Sequence, residues 1–344
     1  MNLHVFNPEH DIALAAHLAN FTAPHAGRQL RNDLGFLPAL WAGEDDAVLV
    51  DNVAYAEKTF RRLAARLGKT PCRFVDRSQL AQLGIRHVEP WGWDRALCAQ
   101  LKRYGVSTSV LPDEEQLERI RSLSHRRTSA RLLPLLQRAG TVGEAFECDR
   151  LEQVAALMEE YGQVVVKAPW SSSGRGVRFD GNTAWIFHVL ERQGSVMVEP
   201  YYNKVKDFGM EFSSTPEGIR YEGLSLFKTH NGAYTGNVLA TERAKRQAMS
   251  RYVPLELLDA VCCDIVDRLD LKGYHGPFGI DMMVVKDSGA KSQVPSLLHP
   301  CVEMNLRRTM GHVALAISPQ NDDIVKVMRV IYEKDNYKLR IQRL

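Results

Sequence analysis

The N-terminal part of the chain alternates between short apolar runs and an amphipathic stretch. Three runs have the length of β-strands and cover residues 3–6, 47–52 and 72–76. Residues 56–68 carry apolar side chains at helical spacing and end at a glycine, which predicts a helix. Because strands that alternate with helices favour a parallel sheet, we predict a Rossmann-like α/β domain over residues 1–111.

The pattern becomes helical in the middle of the chain. Residues 113–140 begin with acidic side chains and continue with basic ones, which complements a helix dipole, and Pro134 is expected to break this helix. A strand, a Ser/Gly-rich loop and a returning strand are predicted over residues 163–180. Two helices and one strand complete this part, over residues 151–162, 182–194 and 195–202. We assign residues 112–202 to a helical linker and a small α+β lobe.

The rest of the chain is predicted to form antiparallel strands with helices around them. Residues 211–239 alternate as strands do. Turn signals interrupt them at Glu217-Gly218 and Asn231-Gly232. Residues 276–285 and 297–307 predict a hairpin around a polar loop. Apolar stripes predict three helices, over residues 254–270, 311–318 and 321–334. We assign residues 203–344 to a larger second lobe.

The composition is that of an ordinary globular protein. The chain has 344 residues, of which 45% are hydrophobic and 25% charged, and its formal net charge is +3. So weak a charge, without a long Lys/Arg block, gives no reason to expect nucleic-acid binding. No apolar run approaches the roughly 20 residues of a membrane span, and we expect no signal peptide. The six cysteines lack a CxxC or a zinc spacing, which is typical of a reduced cytoplasm.

A strand near the C-terminus carries three polar side chains on one face. Within residues 301–307, alternation places Glu303, Asn305 and Arg307 together. Carboxylate and amide oxygens suit Mg²⁺, and a guanidinium suits phosphoryl oxygens. The alternative is the ordinary polar face of a half-exposed sheet.

Asp281 is the one carboxylate in an otherwise apolar strand. If the predicted hairpin forms, Asp281 lies near Glu303 and Asn305, where a cation would relieve the repulsion between the two carboxylates. The alternative is a cross-strand ion pair with Arg307 or Arg308.

A lysine and the Ser/Gly loop after it form another chemical feature. Lys167 ends a run of three valines, where an unpaired charge is costly, and a polyphosphate is a natural partner. Glycines let backbone N–H groups approach an anion, and hydroxyls and a guanidinium add hydrogen bonds. The candidate anion-binding residues of the loop are Ser171, Ser172, Ser173, Gly174, Arg175 and Gly176. A polar hairpin turn with a snorkelling lysine is the alternative.

The next strand offers contacts for a nucleoside. Residues 197–201, with Glu199 and Tyr201, resemble a hinge whose exposed backbone is a candidate partner for an adenine edge. Asp207 is a candidate for a ribose hydroxyl. Both acids also fit an ordinary protein surface.

These segments follow one another in the order of the ATP-grasp superfamily, which the chain resembles over roughly residues 112–320. In that family a strand lysine precedes a loop that closes over the phosphates, and a hinge strand holds the adenine. An acid, followed on the next strand by E-x-N-x-R, then binds Mg²⁺ and the transferring phosphoryl group. The resemblance implies an ATP-grasp fold, two α+β lobes that sandwich ATP, behind an α/β pre-domain.

The resemblance also implies roles for individual residues. ATP would be held by Lys167, the 171–176 loop, Glu199 and Tyr201, and one or two Mg²⁺ ions by Asp281, Glu303 and Asn305. Lys167 and Arg307 would act in catalysis. The family's second phosphate-binding lysine has no counterpart, since its segment offers only Arg126 and Arg127. We take Arg127 as the candidate, although an arginine is not equivalent to a lysine.

Residues outside this template are candidates for substrate binding. His10 and Asp11 follow the first strand, where open α/β sheets bind ligands, although an exposed histidine and a helix cap fit equally well. Lys228 lies in a segment that fits either a substrate-lining loop or a plain hairpin. Arg308, beside Arg307, is a further candidate.

The resemblance implies a cytoplasmic, ATP-dependent carboxylate–amine ligase. The γ-phosphoryl group would convert a carboxylate to an acylphosphate, and an amine or similar nucleophile would then displace phosphate. The sequence leaves the acid, the nucleophile and the oligomeric state open. Two alternatives also stay open: an ATP-grasp kinase for a small-molecule hydroxyl, and a catalytically silent ATP-binding regulatory protein. A Rossmann oxidoreductase is disfavoured because no GxGxxG fingerprint is present.

Overall fold

The computed structural model describes most of the chain. The described part contains helices and sixteen strands, and the strands form four sheets. The residues it describes are 1–171, 174, 176–179, 181–230, 233–287 and 296–343. The predicted turn at Asn231-Gly232 lies outside them, as do the candidate loop residues Ser172, Ser173 and Arg175. Within the described ranges, no helix is long and apolar enough to cross a membrane.

The N-terminal part forms the predicted parallel α/β unit. Its elements are β1 (Asn2–Val5), α1 (His10–Ala16), α2 (His25–Leu34), β2 (Ala47–Leu49), α3 (Val53–Leu67), β3 (Arg73–Val75), β4 (His87–Pro90) and α4 (Arg95–Arg103). The strands are ordered β3-β2-β1-β4 and pair in parallel. The Asn52 side chain caps α3, and Gly68 ends it in the left-handed conformation at φ 65°.

A helical segment and a small antiparallel sheet follow. The elements are α5 (Glu114–Leu123), α6 (Arg127–Leu132), a 3-10 turn (Leu133–Leu136), β5 (Phe146–Cys148), α7 (Leu151–Tyr161), β6 (Val164–Lys167), β7 (Val177–Arg178), α8 (Thr183–Gln193) and β8 (Val196–Pro200). The strands are ordered β5-β8-β6-β7. The predicted break at Pro134 is confirmed, because α6 gives way there to the 3-10 turn.

The C-terminal part contains two further antiparallel sheets. Its elements are β9 (Lys204–Thr215), β10 (Gly218–Ser225), β11 (Phe227–His230), β12 (Ala233–Leu239), α9 (Glu242–Met249), α10 (Leu255–Arg268), β13 (Gly276–Lys286), β14 (Ser296–Asn305), α11 (Met310–Ile317), β15 (Lys326–Glu333) and β16 (Asn336–Arg343). One sheet is ordered β10-β9-β13-β14 and the other β11-β12-β15-β16.

The predicted helix over residues 321–334 is wrong, because most of this segment is strand β15. It pairs with β12 on one side and with β16 on the other. Lys334 and Asp335, both with positive φ, form the two-residue turn into β16. The β-branched residues Val327, Val330 and Ile331 suit a strand, and the pairing partners override the apparent helical spacing. The pattern gave no signal for the turn because neither residue is a glycine or asparagine.

Two hydrophobic cores bring the parts together. In one, Leu123 of α5 and Leu132 of α6 pack with residues of the β10-β9-β13-β14 sheet and of α10. The other joins the N-terminal unit to the C-terminal sheet, with Phe6 in the same cluster as Leu239 and Met328. Each of these cores contains residues from more than one predicted domain. The domain boundaries at 111/112 and 202/203 stay predictions.

Candidate functional site

Two neighbouring strands bring the predicted metal ligands together. The hairpin of β13 and β14 sets Asp281 opposite Glu303 and Gly279 opposite Asn305. The amide Nδ2 of Asn305 donates a hydrogen bond to Asp281 Oδ2 at 3.1 Å. The predicted hairpin is therefore confirmed, and its register collects three oxygen-bearing side chains at one place in the sheet.

Burial and like charge make this cluster unfavourable for ionised acids. Burial, followed by the charges of Glu303 and Glu211, raises the pKa of Asp281 to about 8. A nearby divalent cation would favour the ionised form and relieve this strain. Hard oxygen donors are also the ligands that Mg²⁺ prefers, so the residues present fit the ion.

Asn305 would have to turn to complete such a metal site. Its Oδ1 accepts a hydrogen bond from Arg307 Nη2 at 2.9 Å, and its nitrogen faces Asp281. Within the described part of the chain, no three His, Cys, Asp or Glu side chains gather as a metal site. A metal held by Asp281 and Glu303 would need the oxygen of the Asn305 amide as its third ligand from this hairpin, after a rotation that exchanges the amide oxygen and nitrogen.

Glu211 is a member of this cluster that the sequence analysis missed. It lies on β9, opposite Gly279 of β13, and is 3% exposed. Thr309 Oγ1 donates to its Oε2 at 2.8 Å, and His312 Nδ1 lies 3.0 Å from the same atom. The available signal was weak: a glutamate between two apolar residues of a strand is also what a surface-exposed strand shows.

Lys167 lies beside the hairpin but is paired with an acid. Its Nζ donates to Glu199 Oε2 at 2.6 Å, and both residues are 6% exposed. The same Nζ lies 3.4 Å from the carbonyl oxygen of Val302, next to Glu303. The sequence placed Lys167 on phosphate and Glu199 near adenine, and the structure brings the two side chains into direct contact.

Of the two arginines in the helical segment, Arg126 reaches the cluster. It is buried, and its Nη2 donates to Glu303 Oε1 at 2.7 Å. Its Nη1 donates to the Ala168 carbonyl and to Ser171 Oγ. Arg127 instead lies 3.0 Å from Glu147 of β5. The geometry therefore favours Arg126 over Arg127 as the partner of a phosphate group.

Arg307 ties the N-terminal unit to the site. It makes a bidentate contact with Asp11, with Nε to Oδ1 at 2.9 Å and Nη2 to Oδ2 at 2.8 Å. Burial acts to raise the pKa of Asp11, but Arg307 outweighs it and the pKa is lowered. Asp11 thus stays ionised and fixes the guanidinium plane at the end of β14.

The described part of the Ser/Gly loop folds against Arg126. Ser171 Oγ accepts from that guanidinium at 2.8 Å, and the Gly176 carbonyl accepts from Ala168 N at 2.8 Å. A Cβ at Gly176 would lie 2.3 Å from the Ser171 side chain, so this position requires glycine. Gly174 adopts positive φ, 72°.

The remaining nucleoside candidates have their contacts at the surface. Tyr201 is 46% exposed, and its ring meets the edge of Phe179 with centroids 6.2 Å apart. Asp207 accepts from Lys204 Nζ and from Thr229 Oγ1, both at 2.6 Å. Neither residue contacts the hairpin acids.

The candidate substrate-binding residues differ in how far they are exposed. His10 is 1% exposed, with Nδ1 3.3 Å from Asp94 Oδ2, so it is not the exposed histidine of the alternative interpretation. The Arg308 guanidinium lies over the Trp41 ring at 4.5 Å. Lys228 is exposed on β11.

The space among the central side chains is small. A cavity of about 10 Å³ is lined by Asp11, Ser171, Glu303 and Asn305, together with their neighbours. This is room for about one water molecule. Two acids in the wall of this cavity are already paired, Glu303 with Arg126 and Asp11 with Arg307.

Several solved structures are similar to this one. N5-carboxyaminoimidazole synthetase from Staphylococcus aureus, complexed with ADP, matches with a TM-score of 0.51 and 14% identity over 97% of this chain and 83% of that chain. N5-carboxyaminoimidazole ribonucleotide synthetase from Thermus thermophilus matches with a TM-score of 0.49 and 12% identity, over 97% and 84%. D-alanyl-alanine synthetase A from Vibrio cholerae matches with 0.41 and 14%, over 69% of each chain. No protein-family model and no curated protein sequence matches the chain.

The match to the Staphylococcus aureus structure covers nearly the whole chain and shows a common fold. The expected architecture, an ATP-grasp fold behind a Rossmann-like α/β unit, is therefore confirmed.

Proposed function

We propose that this protein is an ATP-dependent ligase that activates a carboxylate as an acylphosphate and couples it to an amine or similar nucleophile. The observation that carries the proposal is that three cations reach strand β14 and its end: Arg126 donates to Glu303, Lys167 to the carbonyl oxygen of Val302, and Arg307 to the amide oxygen of Asn305. The fold supports the proposal, since the Staphylococcus aureus structure of this fold is a synthetase complexed with ADP.

Asp281, Glu303 and Asn305 would hold magnesium. When bound, the ion would supply positive charge that offsets the negative charge of the transferring phosphoryl group. The protein supplies a half-buried set of oxygen donors, and a cation would relieve the repulsion between its acids. Glu211, held by Thr309 and His312, keeps negative charge behind these ligands.

The phosphate-binding cations would change partners when ATP binds. Arg126 holds Glu303 at 2.7 Å, and a bound magnesium–nucleotide complex would offer each of these two side chains another partner. Glu303 would turn to the metal and Arg126 to a phosphate oxygen. Lys167 would likewise exchange Glu199 for a phosphate oxygen, which leaves Glu199 free to accept a hydrogen bond. Each exchange keeps a buried charge compensated, which a simple loss of the pair would not.

Arg307 would orient the group that is transferred. Its bidentate contact with Asp11 fixes the guanidinium, and its position beside Asn305 places it next to the metal ligands. A fixed guanidinium stabilises developing negative charge without reorganisation during the reaction. Asp11 is in this view a positioning residue that acts through Arg307.

The reaction would proceed in two balanced steps. A carboxylate oxygen attacks the γ-phosphorus, the bond between that phosphorus and the β–γ bridging oxygen breaks, and ADP leaves with the electron pair. The amine nitrogen then attacks the acyl carbon, inorganic phosphate leaves, and the nitrogen loses a proton. The loop at Ser171 and Gly176 would exclude water, which otherwise hydrolyses the acylphosphate.

A coupled assay of ADP release tests the proposal. The purified protein is incubated with ATP and magnesium across a panel of small carboxylates, alone and with a panel of amines, and products are identified by mass spectrometry. We expect ADP, phosphate and an amide in equal amounts for at least one pair. Glu303→Gln should abolish this turnover, while Glu57→Gln, at an exposed position of α3, should leave it unchanged.

Two other results would favour the alternatives. A stable phosphorylated product without amide formation indicates a kinase for a small-molecule hydroxyl. Magnesium-dependent ATP binding without ADP release across the whole panel indicates a regulatory protein. Either result would contradict the ligase proposal.

A further inference from the structure

The sheet ordered β11-β12-β15-β16 is covered on one face only. Side chains alternate between the two faces along each strand. Leu239 and Met328 are buried in the core that this sheet shares with the N-terminal unit, and Leu339 packs against that core. Arg329, the residue after Met328, therefore points away from the core, and it is exposed. The face that carries Arg329 is the outer face of the sheet.

Strand register sets three cations in a row across this outer face. Lys228 of β11 lies opposite Gly236 of β12, and Arg329 of β15 lies opposite Arg340 of β16. Residues directly opposite each other share a face of the sheet. Gly236 joins the two pairs, because a Cβ built there would lie 2.8 Å from Cγ of Arg329. The row therefore runs from Lys228 over a glycine to the two arginines.

The cations of the outer face outnumber its acids. Lys338 lies two residues from Arg340 on the same strand face, and both donate to one atom, Glu333 Oε2, at 3.1 and 2.9 Å. The side chains of Lys228 and Arg329 have no hydrogen bond or ion pair with any residue that the structure describes. We call Lys228, Arg329, Lys338 and Arg340 the cationic face. Like charges directly opposite each other are destabilising, so an anion bound here would relieve a cost.

The positive charge of the chain is concentrated at this face. Residues 326–343, which form β15, the turn and β16, contain six Lys/Arg and two Asp/Glu, a net charge of +4. The whole chain carries only +3. A local excess of one sign attracts partners of the opposite sign and speeds their association. The cationic face therefore fits an acidic partner.

The dimensions of the row favour an extended peptide. Neighbouring strands are about 4.8 Å apart, so the three steps from β11 to β16 span about 14 Å. In an extended peptide, side chains on one face repeat about every 6.8 Å, so three acids at alternate positions span the same distance. A nucleic acid typically needs about 6–10 phosphate contacts. A membrane surface also takes up apolar side chains, whereas all four residues of the cationic face are charged.

We propose that the cationic face docks an extended acidic segment of a partner protein, with Asp or Glu at alternate positions. The segment crosses the four strands, and its carboxylates face Lys228, Arg329 and Arg340. Lys228, a candidate for substrate binding, is in this view part of a partner surface. The proposal does not rest on the ligase function.

Binding of a defined peptide tests the proposal. The full chain is titrated at low ionic strength into a short fluorescent peptide in which Glu alternates with Ala, and the anisotropy is measured. The same peptide with Gln in place of every Glu is the control. We expect the Glu peptide to bind, and to bind more weakly as salt is added, because salt screens exposed charges. The Gln peptide should not bind.

Charge reversal assigns the binding to this face. Arg329→Glu removes one cation and places an acid opposite Arg340, so it should weaken binding of the Glu peptide about tenfold. Arg61→Glu, at an exposed position of α3, changes the net charge equally and should leave binding unchanged. The melting temperature of Arg329→Glu should be no lower than that of the wild type, because opposite charges replace like charges across the two strands. If this variant fails to fold, Arg340→Gln, with an expected loss of up to about fivefold, replaces it.

The outcomes distinguish a protein partner from other occupants. No binding of the Glu peptide at millimolar concentration overturns the proposal, as does binding that Arg329→Glu leaves unchanged. Single-stranded RNA and phosphatidylserine vesicles are the probes for other polyanions, and tighter binding of either one through Arg329 also overturns it. Dimerisation of the protein alone that is lost in Arg329→Glu assigns the face to a second copy and overturns it as well. Peptide binding that the variant weakens, without these other results, supports the proposal.

Discussion

Replacing Asp281 by asparagine should stabilise the metal-free protein while removing a proposed metal ligand. Asp281 is half-buried beside Glu303 and Glu211, and its desolvation together with these charges raises its pKa to about 8. Asparagine has the same shape, and its oxygen can still accept the hydrogen bond that Asn305 donates. The substitution therefore removes the charge and its repulsion without opening a cavity.

The sign of the pH dependence follows from proton binding. The unfolded chain loses this proton near the ordinary pKa of 3.8 and the folded chain near 8, so the folded state holds more proton between these values. The stability associated with this group is complete below pH 3.8 and is lost as the pH rises to about 8. The slope is about 1.4 kcal/mol per pH unit. Between about pH 4 and pH 7 the loss is on the order of 4 kcal/mol.

Urea denaturation of the wild type and of Asp281→Asn, in chelator-treated buffer, measures this difference. The variant should be the more stable protein near neutral pH, and its advantage should grow as the pH rises from about 5 to about 8. Asp267→Asn, at an exposed position of α10, is the matched control and should show no such growth. A difference between wild type and Asp281→Asn that is independent of pH would refute the reasoning.

Magnesium supplies a second readout on the same pair of proteins. A ligand that binds the folded state stabilises it by RT ln(1 + [L]/Kd). Near pH 8 the wild type should therefore gain stability as magnesium is added, and Asp281→Asn should gain less. Equal stabilisation of both proteins would contradict the metal assignment and leave the pH argument intact.

Three further predictions concern the partners of this cluster. Lys167→Ala should weaken ATP binding in calorimetry and lower the free energy of unfolding by about 3 kcal/mol, because it leaves Glu199 buried without its partner; unchanged nucleotide affinity would count against a phosphate role. Arg126→Gln should weaken ATP binding but tighten the binding of Mn²⁺ alone, because it frees Glu303 for the metal. Weaker binding of both ATP and Mn²⁺ would contradict the proposed exchange of partners. Gly311→Ala should cost about 1–3 kcal/mol in thermal unfolding, since its Cβ would lie 1.8 Å from Glu211 Oε1; a wild-type-like melting temperature would disprove this close packing.

The features that the sequence predicted well are those encoded over short distances. Alternation in residues 301–307 and a single acid in the preceding strand were enough to predict the hairpin and the approach of Asp281 to Glu303. The N-terminal α/β unit followed from strands and an amphipathic helix in alternation. In each case the partner strand lies nearby in sequence or the pattern repeats, so local spacing carries the information.

The features that could not be predicted from the sequence depend on contacts between residues far apart in the chain. Residues 321–334 have apolar side chains that fit either period, and the pairing of β15 with β12 decides for a strand. Asp11 and Arg307 are 296 residues apart, and no local pattern relates them. Glu211 joins the cluster because β9 pairs with β13, a pairing that the strand pattern alone did not specify.

The internal ion pairs explain why charge patterns identify a site more readily than they identify its chemistry. A buried cation needs compensation, and for Lys167 the sequence pattern favours a ligand as the compensating partner. The structure provides carboxylates for the same cations: Glu199 for Lys167, Glu303 for Arg126 and Asp11 for Arg307. Under the proposed function, ATP affinity would be the difference between phosphate contacts and these pairs, and magnesium would enter the balance by replacing Arg126 at Glu303. Nucleotide and metal should therefore bind cooperatively, each making the partner exchange of the other less costly.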